Sequence, residues 1–158
     1  VTQVLQRFPH YVPGEKLELM DTVKVFTDGG SRGNPGPAAI GILILDDTNR
    51  ELERFRERIG NSTNNRAEYQ ALLKGLELAA KYTRYNVYCY LDSELVANQV
   101  KGVWRLKKEE LRQLFRQVKD REQAFQRVIY THVRRDNAFM KIVDRLVNEA
   151  LDETKAGR

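Results

Sequence analysis

The sequence predicts an α/β domain: a mixed five-stranded sheet, an antiparallel meander followed by parallel strands, flanked by helices. Three observations predict it. Strand-like segments cluster early and are joined by short connections, which suits a meander. Two further strand-like segments then alternate with helical ones, which suits parallel addition to the same sheet. At 158 residues and 41% hydrophobic content, the chain has the size and composition of one globular domain with a sizeable core.

The elements follow in order. Residues 1–22 contain Pro9, Pro13 and Gly14, lack a clear period and read as an N-terminal appendage. VKVFTD (23–28) is an apolar strand closed by Asp28. GGSRGNPGP (29–37) is a tight glycine- and proline-rich loop. AAIGILILDD (38–47) is a long buried strand, and Thr48–Arg50 form a turn. ELERFRERI (51–59) alternates and is dense in charge, as a partly exposed edge strand is. A helix follows over about 65–82. Strands at 86–92 and 127–133 then alternate with helices at about 93–101, 107–122 and 137–153. In such sheets ligands gather at the carboxyl ends of the parallel strands. Asp28 and Asp92 occupy those ends.

Bulk properties narrow the function classes. No run approaches the ~18 apolar residues of a membrane span, and VTQVLQRFPH does not have the form of a signal peptide. The chain begins at Val1, which suits a piece of a longer protein. The single cysteine, Cys89, rules out an internal disulfide and a cysteine-built zinc site, and lies in an apolar strand. A reducing, cytoplasmic setting is expected. The net charge is +5. Residues 101–121 carry all of it: Lys101, Arg105, Lys107, Lys108, Arg112, Arg116, Lys119 and Arg121 face only Glu109, Glu110 and Asp120. A polyanionic partner fits this balance.

Four carboxylates carry the chemistry. Asp28 and Asp92 close strands, and each also suits a plain structural role, a turn for Asp28 and a helix N-cap for Asp92. Glu68 lies on the buried face of its helix, in line with Ala71, Leu72, Gly75, Leu76 and Ala79. Its plain reading is a capping interaction, with Asn65 at the N-cap and Glu68 three residues on. Asp144 flanks the stripe Phe139, Ile142, Val143, Leu146, Val147 and Ala150, where a solvated helix position is the simple alternative. Carboxylates drawn to one point repel each other unless cations neutralise them, which suits hard, oxygen-loving divalent metals. Two-metal cleavage of a phosphodiester is the natural chemistry.

Each carboxylate sits inside a longer string: TDGGSRGNPGPAAIG (27–41), STNNRAEYQALLKGLELA (62–79), LDSELVANQV (91–100) and THVRRDNAFMKIVDRLVNEALD (131–152). Together these strings resemble type 1 ribonuclease H, over residues 23–152. The first three blocks, D-G-x-x-x-x-N-P-G, T-N-N-R-x-E and D-S, are specific in this order. The resemblance implies a ribonuclease H-like fold in residues 23–155. It implies an endoribonuclease that hydrolyses the RNA strand of RNA–DNA hybrids, leaving a 5′-phosphate and a 3′-hydroxyl. Two Mg²⁺ ions are expected per site, with Mn²⁺ as an alternative, and the partner is the hybrid rather than a membrane. A monomer is expected.

By motif, Asp28 resembles the carboxylate that bridges both metals. Glu68 and Asp92 resemble the further ligands on the leaving-group side, and Asp144 the ligand on the nucleophile side. Thr63 and Asn65 resemble contacts to the DNA phosphates, and Asn64 a reader of the minor groove; helix capping is their plain alternative. Gly29, Ser31 and Asn34 match the loop that meets the RNA strand, where a 2′-hydroxyl distinguishes RNA from DNA.

The last block departs from the common pattern. Many relatives place a flexible histidine before the final helix; here His132 lies within the strand-like IYTHV. Another branch carries arginine in H-V-x-R, which His132, Val133 and Arg135 fit. Arg135 is the candidate auxiliary residue, with Arg134 and His132 behind it. The basic protrusion of some relatives is missing, since only GVWRLK (102–107) joins the two helices. Lys108, Arg112, Arg116 and Lys119 still form a basic stripe, either a solvated face or a phosphate track. Trp104, beside Arg105 and Lys107, suits either backbone packing of nucleic acid or the core. Two rivals share the strings: the ribonuclease H domain of a reverse transcriptase polyprotein, and a catalytically silent hybrid-binding module.

Overall fold

The computed structural model describes residues 19–153. Its sheet has five strands in the order β3-β2-β1-β4-β5. β1 (Met20–Ser31), β2 (Gly36–Asp46) and β3 (Glu51–Ser62) form the antiparallel meander, and β4 (Thr83–Leu91) and β5 (Arg127–His132) add in parallel. Helix α1 (Asn64–Ala79) follows the meander. α2 (Glu94–Val100) and α3 (Glu109–Glu122) lie between β4 and β5, and α4 (Ala138–Asp152) follows β5.

Two apolar layers hold the sheet. On one face Val25, Ile40, Ile42 and Ile44 pack with Tyr69, Leu72 and Leu76 of α1 and Leu111 and Val118 of α3. On the other, Phe26, Leu43 and Leu45 pack with Met140, Val143 and Leu146 of α4. Alternate residues of β2 therefore serve opposite layers, which is why that strand reads as an unbroken apolar run. β3 lies at the sheet edge, and its side chains pair across the surface, Arg54 with Glu51 and Arg56 with Glu149.

Several boundaries differ from the sequence expectation. β1 begins at Met20, so residues 20–22 join the sheet; residues 1–18 of the expected appendage lie outside the described residues. Asp28 does not close its strand. β1 runs on to Ser31 because Gly29, Gly30 and Ser31 continue to pair with β2, which leaves only residues 32–35 as the connecting loop. The first helix starts at Asn64 and ends at Ala79, and Thr63 rather than Asn65 is its N-cap. The Thr63 hydroxyl accepts from the Arg66 N–H at 3.3 Å, satisfying one of the free donors of the first turn.

Candidate active site

The parallel pairing of β1 with β4 ends at Thr27 opposite Leu91. The next residue of each chain segment is an aspartate, so Asp28 and Asp92 emerge side by side where β4 stops and β1 continues. Glu68 arrives from the first turns of α1. Its approach depends on Gly29: a Cβ there would stand 2.2 Å from the Ala67 carbonyl oxygen. The Gly29 N–H then donates to Glu68 Oε1 at 3.0 Å, fixing the carboxylate against the strand. One oxygen from each of Asp28, Glu68 and Asp92 lies within 4.8 Å of the others. This is not the capping geometry that Glu68 would adopt with a helix N-cap.

Asp144 stands across the same cavity, which measures about 470 Å³ and is also lined by Gly29, Ser31, Asn64 and Arg135. α4 reaches this point because β2 carries Gly41, where a Cβ would stand 2.6 Å from the Val143 carbonyl oxygen.

The charge balance is strained in the way a cation site requires. Burial, reinforced by the negative charges of Asp92 and Asp144, pushes Asp28 up to about 8. Burial, then the charges of Asp28 and Asp92, raises Glu68 well above the usual carboxylate range. Arg135 is raised by Asp92 above all, whose Oδ2 accepts from its Nε at 3.4 Å. Asp92 Oδ1 is buried and has no hydrogen-bond partner among the described residues. A set of oxygen donors, two of them pushed toward protonation and one with a buried oxygen left over, fits a hard divalent cation.

The loop 32–35 is tied to α1. Asn64 Oδ1 accepts from the Ser31 N–H at 2.9 Å and from its hydroxyl at 3.1 Å. The Asn64 N–H donates in turn to Asn34 Oδ1 at 2.9 Å. His132 ends β5, with Nε2 3.2 Å from the Asp92 carbonyl oxygen. Arg134 turns away to pair with Asp136 at 3.4 Å.

Other expected residues lie elsewhere. Asn65 and Lys107 line a second cavity of about 500 Å³, together with Trp104 and Lys108. Trp104 is 42% exposed, so it is not core: the short α2–α3 connection holds it at the surface. Part of the basic stripe is neutralised. Arg112 and Arg116 both pair with Glu109, and Lys119 pairs with Glu122 and donates to the Val100 carbonyl. Sequence reasoning missed Arg32 and Asn148, which also line the carboxylate cavity. Asn148 was within reach, since it lies one turn beyond Asp144 on the same helix face.

The profile of the family described as reverse transcriptase-like matches residues 26–150. The chain is 37% identical to ribonuclease HI of Halobacterium salinarum over 131 residues, 83% of this chain and 65% of that protein. The crystal structure of RNase H1 from that archaeon superposes with a TM-score of 0.80 at 37% identity, covering 84% of this chain and 99% of the other. This chain belongs to the type 1 ribonuclease H family. LC11-RNase H1, solved in complex with an RNA/DNA hybrid, is 35% identical with a TM-score of 0.77, covering 83% of this chain and 97% of that one. A bifunctional protein of Mycobacterium tuberculosis is 39% identical over 82% of this chain. The chain spans 35% of the length of that protein and 65% of the archaeal ribonuclease HI.

Proposed function

We propose that this ribonuclease H chain is a metal-dependent endonuclease that hydrolyses the RNA strand of RNA–DNA hybrids, leaving a 5′-phosphate and a 3′-hydroxyl. The convergence of Asp28, Glu68 and Asp92 beside Asp144 carries the reading. A pair of Mg²⁺ ions, or Mn²⁺ in their place, would be held by these four carboxylates, and the chemistry they supply when bound is activation of water and neutralisation of the departing 3′-oxygen.

The chain's own residues do the rest. Asp28 clusters with Glu68 and Asp92 and also feels the charge of Asp144, which suits a ligand that both ions would share. Glu68 and Asp92 would hold one ion and Asp144 the other. Asp92 Oδ1, buried without a partner among the described residues, has lone pairs to offer a ligand. Arg135 partly balances Asp92 and is 82% exposed, so it can leave that carboxylate to meet a phosphate or a protonated product oxygen. Asn64, Ser31 and Asn34 hold the RNA-side loop rigid, with Gly29 setting its distance from α1. Asn65, Lys107 and Trp104 form a separate rim for the DNA strand, and Thr63 positions the helix start between the two. His132 steadies the backbone of Asp92. We place the enzyme in the cytoplasm as a monomer.

A second setting with the same chemistry is the ribonuclease H domain of a reverse transcriptase polyprotein; the bifunctional relative, of which this chain spans 35%, is the observation that favours a multidomain setting. Four intact carboxylates speak against a silent hybrid-binding module. The test is cleavage of an end-labelled RNA–DNA hybrid in Mg²⁺, with EDTA, single-stranded RNA and duplex DNA as controls. Cleavage of the hybrid alone, abolished by EDTA, is expected. An intact hybrid, or equal cutting of duplex DNA, would overturn the assignment.

A further inference from the structure

We propose that Arg32 is a substrate-binding residue: its guanidinium takes an RNA-strand phosphate beside the scissile one, and Asp152 is the carboxylate it leaves to do so. The inference rests on the ribonuclease reading above and adds to it a residue outside the family strings' carboxylates.

Arg32 lines the carboxylate cavity, where it is held to α4 by Asn148 and Asp152, whereas Arg135 lines it beside Asp92. The Arg32 Nη2 pairs with Asp152 Oδ1 at 2.8 Å. It also reaches the Asn148 carbonyl oxygen at 3.5 Å and the Asn148 Oδ1 at 3.4 Å. These two contacts are long, and both side chains of the ion pair are open to solvent, 47% for Arg32 and 67% for Asp152. A pair so exposed is screened and weak. An RNA phosphate offers a guanidinium two oxygens in a geometry that matches its fork, which the single-oxygen contact to Asp152 does not.

The backbone of Arg32 is fixed independently of this pair. Its N–H donates to the Pro37 carbonyl at 2.8 Å, and the neighbouring Ser31 is bound to Asn64. Loss of the ion pair therefore frees the side chain and leaves the loop in place. Asn148 also donates to the Asp144 carbonyl at 3.1 Å, so the resting position of Arg32 is defined relative to the carboxylate site.

The test compares Arg32→Ala, Arg32→Lys and Asp152→Asn with wild type on one RNA–DNA hybrid, reading kcat, KM and the salt dependence of KM. Arg32→Ala should raise KM about fivefold to tenfold with little change in kcat, and reduce the slope of log KM against log salt by about 1. Arg32→Lys should recover part of the affinity. Asp152→Asn, which releases the guanidinium, should lower KM about twofold. If the pair is only a structural clamp, Asp152→Asn and Arg32→Ala break the same contact, both raise KM or lower Tm alike, and the proposal fails. It fails equally if Arg32→Ala leaves KM and the salt slope unchanged. Failure of the ribonuclease reading looks different, because the wild-type protein would then leave the hybrid uncut.

Discussion

Asp28 lies directly across the β1–β2 ladder from Gly41, and Gly41 is the residue on which the turn of α4 before Asp144 rests. The pair links the strand carboxylate to the helix carboxylate through one missing side chain. Gly41→Ala would put a methyl 2.6 Å from the Val143 oxygen and 3.0 Å from the Leu146 Cβ, so α4 must move outward. Overpacking of this kind costs about 1–3 kcal/mol. Urea unfolding should show that loss, and kcat should fall with it as Asp144 is displaced. A normal kcat in a destabilised variant would show that this contact does not set the position of Asp144.

Asp28→Asn should reduce kcat by at least about 10³-fold, equivalent to about 4 kcal/mol of transition-state stabilisation, with hybrid binding largely kept. Steady-state cleavage and a gel-shift titration measure the two separately. The same variant should melt higher than wild type in EDTA, because it removes a charge that burial and two neighbouring carboxylates disfavour. Turnover persisting in the purified variant would remove Asp28 from the metal site.

The raised pKa of Asp28 and Glu68 gives a pH signature. Below about pH 4 Asp28 is protonated whether folded or unfolded and contributes nothing. As pH rises the unfolded chain ionises first, while the folded protein holds its proton to about 8. Wild-type stability in EDTA should therefore fall relative to Asp28→Asn between about pH 4 and 8, then level off. Glu68 acts in the same direction. Divalent binding displaces these protons, so the rise in Tm on adding Mg²⁺ should grow from pH 6 to pH 8.5. Calorimetry at several pH values checks both statements, and a flat difference between wild type and variant would contradict them.

Arg135→Ala should slow kcat by about tenfold, roughly 1.4 kcal/mol, and leave the fold unchanged, since the side chain is exposed. Circular dichroism and single-turnover kinetics test the two halves. An unchanged rate would move the auxiliary role to His132, whose ring touches the Asp92 carbonyl.

The sheet and three of the four carboxylates were legible because each leaves a local mark, whereas Asp144 was placed only by the string around it. Asp28 and Asp92 end apolar runs of the sequence, and Glu68 interrupts the apolar face of a helix. The end of β1 was not legible, because Gly29 and Gly30 look like a turn until their pairing with Ala39 and Ile40 is seen. The N-cap was misplaced for a similar reason: Thr63, Asn64 and Asn65 all cap well, and only the tertiary bonds of Asn64 to Ser31 and Asn34 decide which one does. Trp104 was ambiguous because one aromatic in a short connection has no period to follow. Arg32 carried no signal, since its partners Asn148 and Asp152 are 116 and 120 residues away.

The four acidic positions come from widely separated stretches, the first at Asp28 and the last at Asp144 on the final helix. No early collapsed form containing only the meander and α1 holds the complete constellation. Recovery of cation uptake during refolding should therefore require α4 to have docked, and give a clock for when the polypeptide becomes competent.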